Sequence, residues 1–186
     1  MLILASSSPR RRELLTQAGL TFGIHAADID ETPRPGEPAP EFVQRLALEK
    51  ALTVLPLYPG ATILGADTTV AIDNQILNKP DDTADAERML RLLSGRTHQC
   101  YTGVAVVTAT ARTVHVETTH VTFSEIRAED LAHYLTSGGP LGKAGAYGIQ
   151  GYAARWIPRI EGDYFNVVGL PISATIRLLS ELEQLP

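Results

Sequence analysis

Residues 5 to 13, Ala5-Ser6-Ser7-Ser8-Pro9-Arg10-Arg11-Arg12-Glu13, hold the densest chemistry in the chain. Ser8 suits a helix N-cap, and Pro9 suits the first helical position, where a missing N–H costs nothing. Free N–H groups at a helix start attract anions. The helix dipole, however, disfavours the three arginines that follow. A polyanion at that end resolves the conflict. Serine hydroxyls, backbone N–H groups and up to three guanidinium groups would then converge on it. The alternative is a capped helix with a solvated basic turn.

Lys50 falls, at 100° per residue, among Val43, Leu46 and Val54 on the apolar face of its helix. It either snorkels or meets an anion there. Packing at that angle is expected to tolerate a methionine. Asp67 follows Ile63-Leu64-Gly65-Ala66, at what reads as a strand's carboxyl end. That is a placement for a catalytic or metal-binding carboxylate, or for a turn-forming Asp that caps Thr68 or Thr69. Asp28, Asp30 and Glu31 form an acidic loop able to offer oxygen ligands to a hard divalent cation, or merely solvated. Lys79-Pro80 precedes a helix cap. Gln150 lies in a glycine-rich stretch, where its amide could read a base edge. His25, His98, His115, His120 and His133 show no metal spacing, and Tyr147 and Trp156 read as packing residues. An arginine-rich helix start, cleft-type lysines, an acidic loop and a strand-end Asp together suit a phosphorylated substrate with a metal ion. A Ser/His/Asp order, a Walker-type loop and a dinucleotide glycine fingerprint are all missing. Water attack on a phosphoanhydride is favoured over kinase or hydride chemistry.

The elements that must position these residues can be read from periodicity. Strands are expected at Leu2–Ala5, Phe22–Ala27, Thr62–Ala66, Thr69–Ile72, 98–110, 113–123, Ala153–Ile160 and Asn166–Val168. Helices are expected at Pro9–Ala18, Glu41–Leu55, Thr83–Leu93 and Ala128–Thr136, with a last one from about Pro171. In that last helix Ile172, Ile176, Leu179 and Leu182 share a face. The interleaving predicts a mixed α/β fold. Its 186 residues, 44% hydrophobic and 20% charged, are ordinary globular composition and fit a single domain over 1–186. A net charge of −5 argues against a nucleic-acid coat, so no nucleic-acid partner is expected. No apolar run approaches a membrane span, and no membrane partner is expected. One cysteine, Cys100, allows no internal disulfide or Cys-based zinc cluster. With no signal-like N-terminus, a reducing cytoplasm is the expected location.

Several segments, taken in order, resemble the Maf family nearly end to end. They are Ala5-Ser6-Ser7-Ser8-Pro9-Arg10-Arg11, Asp30-Glu31, Arg45-Leu46-Ala47 with Glu49-Lys50-Ala51, Gly65-Ala66-Asp67-Thr68, Lys79-Pro80, Gly145 to Gly151, and Val168-Gly169-Leu170-Pro171. The resemblance implies the inosine-triphosphatase-like (Maf/Ham1) fold, a mixed twisted sheet with flanking helices and a cleft between two lobes. It implies a nucleoside triphosphate pyrophosphatase that cleaves between the α and β phosphates with a divalent metal cation, Mg²⁺ or Mn²⁺. By the same resemblance Asp67 is the catalytic proton acceptor, and Lys50 and Lys79 join it; Arg11, Lys50 and Lys79 are expected to bind the triphosphate. Ser6, Arg10, Arg11, Thr68 and Gln150 contact substrate, and Glu31 and Asp67 face the metal. Arg10, Thr68 and Gln150 match the branch acting on dTTP and UTP rather than on 7-methyl-GTP. A homodimer and a role in cell-division arrest are further family expectations. The rival readings are a 7-methyl-GTP pyrophosphatase and a nucleotide-binding division regulator without turnover.

Overall fold

A computed structural model describes residues 1–183 of the chain. Seven strands form one mixed sheet: β1 (Leu2–Leu4), β2 (Phe22–Ile24), β3 (Thr62–Ile72), β4 (Gln75–Leu77), β5 (Thr97–Val107), β6 (Arg112–Thr122) and β7 (Arg159–Glu161). Their order is β2-β1-β3-β5-β6-β7, with β4 also on β3. β1 runs parallel to β2 and β3, and the other pairings are antiparallel. The helices are α1 (Pro9–Gln17), α2 (Ala39–Val54), α3 (Thr83–Leu93), α4 (Ala128–Thr136), α5 (Tyr164–Val168) and α6 (Ile172–Glu183).

The sheet is covered on both faces. On one, α2 packs Ala47, Ala51 and Val54 against Ile63, Ala105 and Val107. It lies unusually close because Gly65 and Gly103 face it. A Cβ on Gly65 would sit 2.0 Å from the Ala47 carbonyl oxygen, and one on Gly103 would sit 2.2 Å from that of Val43. On the other face, Leu14 and Leu15 of α1 and Leu178 and Leu182 of α6 enclose Leu64, Ala66, Val104 and Val106. A further cluster, built on Val70, Leu77, Leu90, Phe123, Tyr134 and Trp156, fills the end where α3 and α4 pack. The two ends thus share the long strands β3, β5 and β6.

The expected break at Asp67-Thr68 is absent. β3 runs unbroken through them, pairing Asp67 with Gly103 and Thr68 with Thr102. The gap lies beside β3 instead. On the edge away from β5, β1 pairs only with Thr62–Leu64 and β4 only with Val70–Ile72. Residues 65–69 therefore border an opening just beyond the carboxyl end of β1, a usual place for ligands in sheets of this kind.

Four other expectations change. Ala153–Ile160 is a 3-10 turn over Tyr152–Trp156, and strand pairing begins only at Arg159. Tyr152 and Trp156 are drawn into an aromatic cluster with Tyr134, and Pro158 interrupts the run. The Asn166–Val168 segment is helical, within α5. Asp163 caps it, accepting from the Phe165 N–H at 2.7 Å, and Gly169 closes it at φ 132°. The edge strand β2 stops at Ile24 rather than Ala27. In α6 the buried positions are Ala174, Thr175, Leu178 and Leu182, so only Leu182 of the expected stripe is among them.

Candidate active site

The opening beside β3 is a cleft of about 500 Å³. Ser6, Arg10, Arg11, Glu31, Lys50, Asp67, Thr68, Lys79 and Gln150 all line it, although they come from six separate stretches of chain. Because β3 is open on this edge, neighbours on opposite faces of the strand both reach the cleft. Asp67 looks toward α2, and Thr68 looks toward α1 and α5.

Lys50 stands at the centre of the charge arrangement. Its Nζ lies 2.6 Å from Asp67 Oδ1 and 2.6 Å from Glu31 Oε1. The Lys50 and Asp67 side chains are 8% and 11% exposed, against 43% for Glu31. The lysine on the apolar face therefore meets anions rather than snorkelling. Those anions are the protein's own, so a methionine at 50 would leave the two carboxylates without their bridging cation. Partial burial works against the Glu31 carboxylate. The Lys50 hydrogen bond and the charges of Lys50, Lys79 and Arg11 outweigh that and hold its pKa below the usual range. Lys79 is 3.7 Å from Glu31 and largely exposed at the cleft edge.

The helix start is organised differently from a capped basic turn. Ser8 takes the N-cap position with extended backbone, but its side chain makes no capping bond. Its N–H donates instead to Ser6 Oγ at 3.2 Å. Arg11 is buried. Its Nε donates to the Gly169 carbonyl at 2.9 Å, Nη1 to Ser6 Oγ at 3.0 Å and Nη2 to Thr68 Oγ1 at 3.0 Å. Burial lowers its pKa from the ordinary value against the pull of Asp67 and Glu31. Arg11 thus ties α1 to β3 and the end of α5 while presenting its remaining donors to the cleft. Arg10 donates Nε to the Val168 carbonyl at 3.3 Å. Arg12 turns outward and is exposed, so two arginines line the cleft, not three.

Of the acidic loop, only Glu31 faces the cleft. Asp30 Oδ1 accepts from the Thr32 N–H at 2.9 Å, and Asp28 is exposed. No group of three or more His, Cys, Asp or Glu side chains among the described residues is placed to hold a metal ion. Of the loop's acids only Glu31 joins Asp67 in the lining of the cleft. Those two carboxylates fit Mg²⁺ or Mn²⁺, hard ions that take one or two carboxylates and fill the rest of their shell with substrate phosphates and water.

Four groups in or behind the cleft escaped the sequence reading. Lys143 lines it, and desolvation, with repulsion from Arg10, lowers its pKa. Among the described residues neither Lys143 nor Arg10 forms an ion pair with a carboxylate. Thr102 backs Thr68 at 2.9 Å. Asn78 Oδ1 accepts from Thr69 Oγ1 at 2.7 Å, fixing the turn that carries Lys79. Cys100 reaches the floor, where burial pushes the thiol pKa up to about 12 and so suppresses thiolate chemistry. Only Lys143 left a trace in the sequence, as a cation inside the glycine-rich stretch. Tyr147 and Trp156 pack in the core, as read from the sequence.

The chain is similar to known proteins along nearly its whole length. Residues 1–182 match the profile of the family described as Maf-like protein. A protein of Symbiobacterium thermophilum named dTTP/UTP pyrophosphatase is 51% identical over 180 residues, covering 97% of this chain and 93% of its own. One of Koribacter versatilis with the same name is 50% identical over 178 residues, covering 96% and 92%. The solved structure of a HAM1 protein from Coxiella burnetii superposes with a TM-score of 0.51 over 97% of this chain and 98% of its own. Identity there is 15%, so that likeness speaks for the fold. With its profile matched almost end to end and half its residues shared with full-length relatives, the chain belongs to the Maf family.

Proposed function

We propose that this protein is a nucleoside triphosphate pyrophosphatase. It hydrolyses dTTP and UTP to the monophosphate and pyrophosphate with Mg²⁺ or Mn²⁺. The observation that carries the reading is the Glu31–Lys50–Asp67 bridge, set in a cleft that opens at an uncapped, arginine-bearing helix start. The names of the relatives at about half identity agree with it.

Each residue then has a task. The N–H groups at the start of α1, the free donors of Arg11 and the ammonium of Lys79 bind the triphosphate. Lys50 bridges and orients Glu31 and Asp67 rather than binding phosphate directly. Asp67 Oδ1 is committed to Lys50. Oδ2 makes no protein hydrogen bond among the described residues and accepts the proton of the attacking water. Glu31 would hold the divalent ion beside Asp67, and the ion would neutralise charge on the phosphates and acidify water. Gln150 sits exposed on the cleft wall beside Gly151 and reads the base. Its amide can donate to a pyrimidine carbonyl and accept from N3–H. A cytosine presents the opposite pattern at N3 and at the 4-position, and its mismatched polar groups are penalised. Among the described residues no helix is long and apolar enough to cross a membrane. The working site in this reading is a cytoplasmic nucleotide pool.

The test is kcat/KM for dTTP, UTP, dCTP, GTP and 7-methyl-GTP. The wild type should prefer dTTP and UTP, and Gln150→Ala should compress that preference. A preference for 7-methyl-GTP, or no release of pyrophosphate from any of them, refutes the proposal.

A further inference from the structure

Glu31 rides on a long irregular segment. Between β2 and α2, residues 25–38 contain no helix or strand, and a loop of that length carrying a site residue needs anchors. One anchor is apolar, with Ile29 packed against Phe42, Val43 and Leu46. The other is Arg45, on the side of α2 one turn before Lys50. Its Nε lies 2.6 Å from Glu37 Oε1 and its Nη2 2.7 Å from Glu37 Oε2, a two-pronged pair. Nη2 also reaches the Thr32 carbonyl at 3.2 Å, and Nη1 reaches Glu49 Oε2 at 3.2 Å. The Glu37 and Arg45 side chains are only 8% and 13% exposed. Glu37 in turn accepts from the Arg34 N–H at 2.9 Å, and Arg34 Nη2 lies 3.3 Å from Glu49 Oε1.

We infer that Arg45, acting with Glu37, is a positioning residue that delivers Glu31 to Lys50. The guanidinium joins both ends of residues 32–37 to the same helix that carries Lys50. Thr32 is held twice, at its N–H by Asp30 and at its carbonyl by Arg45. Its neighbour Glu31, 43% exposed, gains its fixed place from that grip. The geometry needs a planar fork. A lysine keeps the charge but cannot span Glu37, Glu49 and the Thr32 carbonyl together. The inference rests on the reading of Glu31 as part of the active site.

The experiment pairs hydrogen–deuterium exchange with a mutant cycle on the full-length protein. In Arg45→Lys, exchange over residues 28–38 should rise while peptides from α2 stay protected. For dTTP hydrolysis, Arg45→Lys should lower kcat/KM about tenfold in the wild-type background but less than about twofold in Glu31→Gln, because residues acting through one another are not additive. Equal losses in the two backgrounds, or unchanged exchange in the loop, overturn the inference. Should Arg45→Lys fail to fold, Glu37→Gln decides by the same two measurements, since it leaves Arg45 stacked on Phe42. If the wild type does not hydrolyse dTTP, the proposed function fails. The cycle then runs on dTTP affinity, and the exchange result still judges the clasp.

Discussion

Replacing Lys50 with methionine tests the charge arrangement most directly. The substitution keeps the stem's volume and removes the ammonium between two carboxylates held 2.6 Å away. Asp67, with a side chain 11% exposed, is then left beside Glu31 with no bridging cation. Stripping one partner from a buried pair costs about 3–5 kcal/mol. The open side of Glu31, 43% exposed, places the loss at the lower end, about 3 kcal/mol. For a chain of this size that is a fall in Tm of about 6–12 °C. The assay is thermal unfolding of wild type, Lys50→Met, Asp67→Asn and the double variant. Asp67→Asn in the Lys50→Met background removes the stranded charge and should recover more than half of the lost Tm. A single variant melting within about 2 °C of wild type would refute the reasoning. So would a double variant melting no higher than Lys50→Met.

Three further outcomes follow from the same geometry. Asp67→Asn alone keeps the shape and is expected to lower kcat by at least about 100-fold with the fold intact, the loss typical of a missing general base; near-wild-type turnover at saturating Mg²⁺ contradicts the assignment. Gly103→Ala would put a Cβ 2.2 Å from the Val43 carbonyl oxygen, forcing α2 off the sheet. It should cost about 1–3 kcal/mol and lower kcat/KM, because α2 carries Lys50, and an unchanged melt with unchanged kinetics counts against it. His98 is buried against Phe123 and Tyr147, and burial lowers its pKa to about 3. The unfolded chain takes that proton below about pH 6.5 while the folded one does not, so stability present above that pH is lost as pH falls. The contribution is about 1.4 kcal/mol per pH unit between about pH 6 and pH 5, and His98→Asn should lack it. Equal slopes for the two proteins would show that His98 is not the source.

What local pattern could reveal, it revealed. The angle of Lys50 on α2 marked a lysine that needed an anion. Pro9, Asp82 and the glycines after α1 and α3 marked helix ends, and alternation marked the strands. Lys50, the arginines and Asp67 were legible as candidates because each left a local anomaly: a cation on an apolar stripe, arginines at a positive helix end, an acid after small residues. Thr68 and Lys79 left none and were named by the family resemblance alone. Where the pattern was ambiguous, burial decided. Tyr152–Trp156 and α5 carry residues that suit strands, yet an aromatic cluster and the Asp163 cap made turns and a helix of them. The partners of the site residues were beyond any local reading. Arg11 bonds Gly169 across 158 positions, Lys50 meets Asp67 across 17, and Asp67 enters the cleft from mid-strand because β1 and β4 stop short of each other along β3. Side-chain type and spacing report what a residue does to its own helix or strand. Which charges meet, and where the sheet is left open, depends on how closely whole elements pack, and here that was set by two glycines that let α2 lie on β3 and β5.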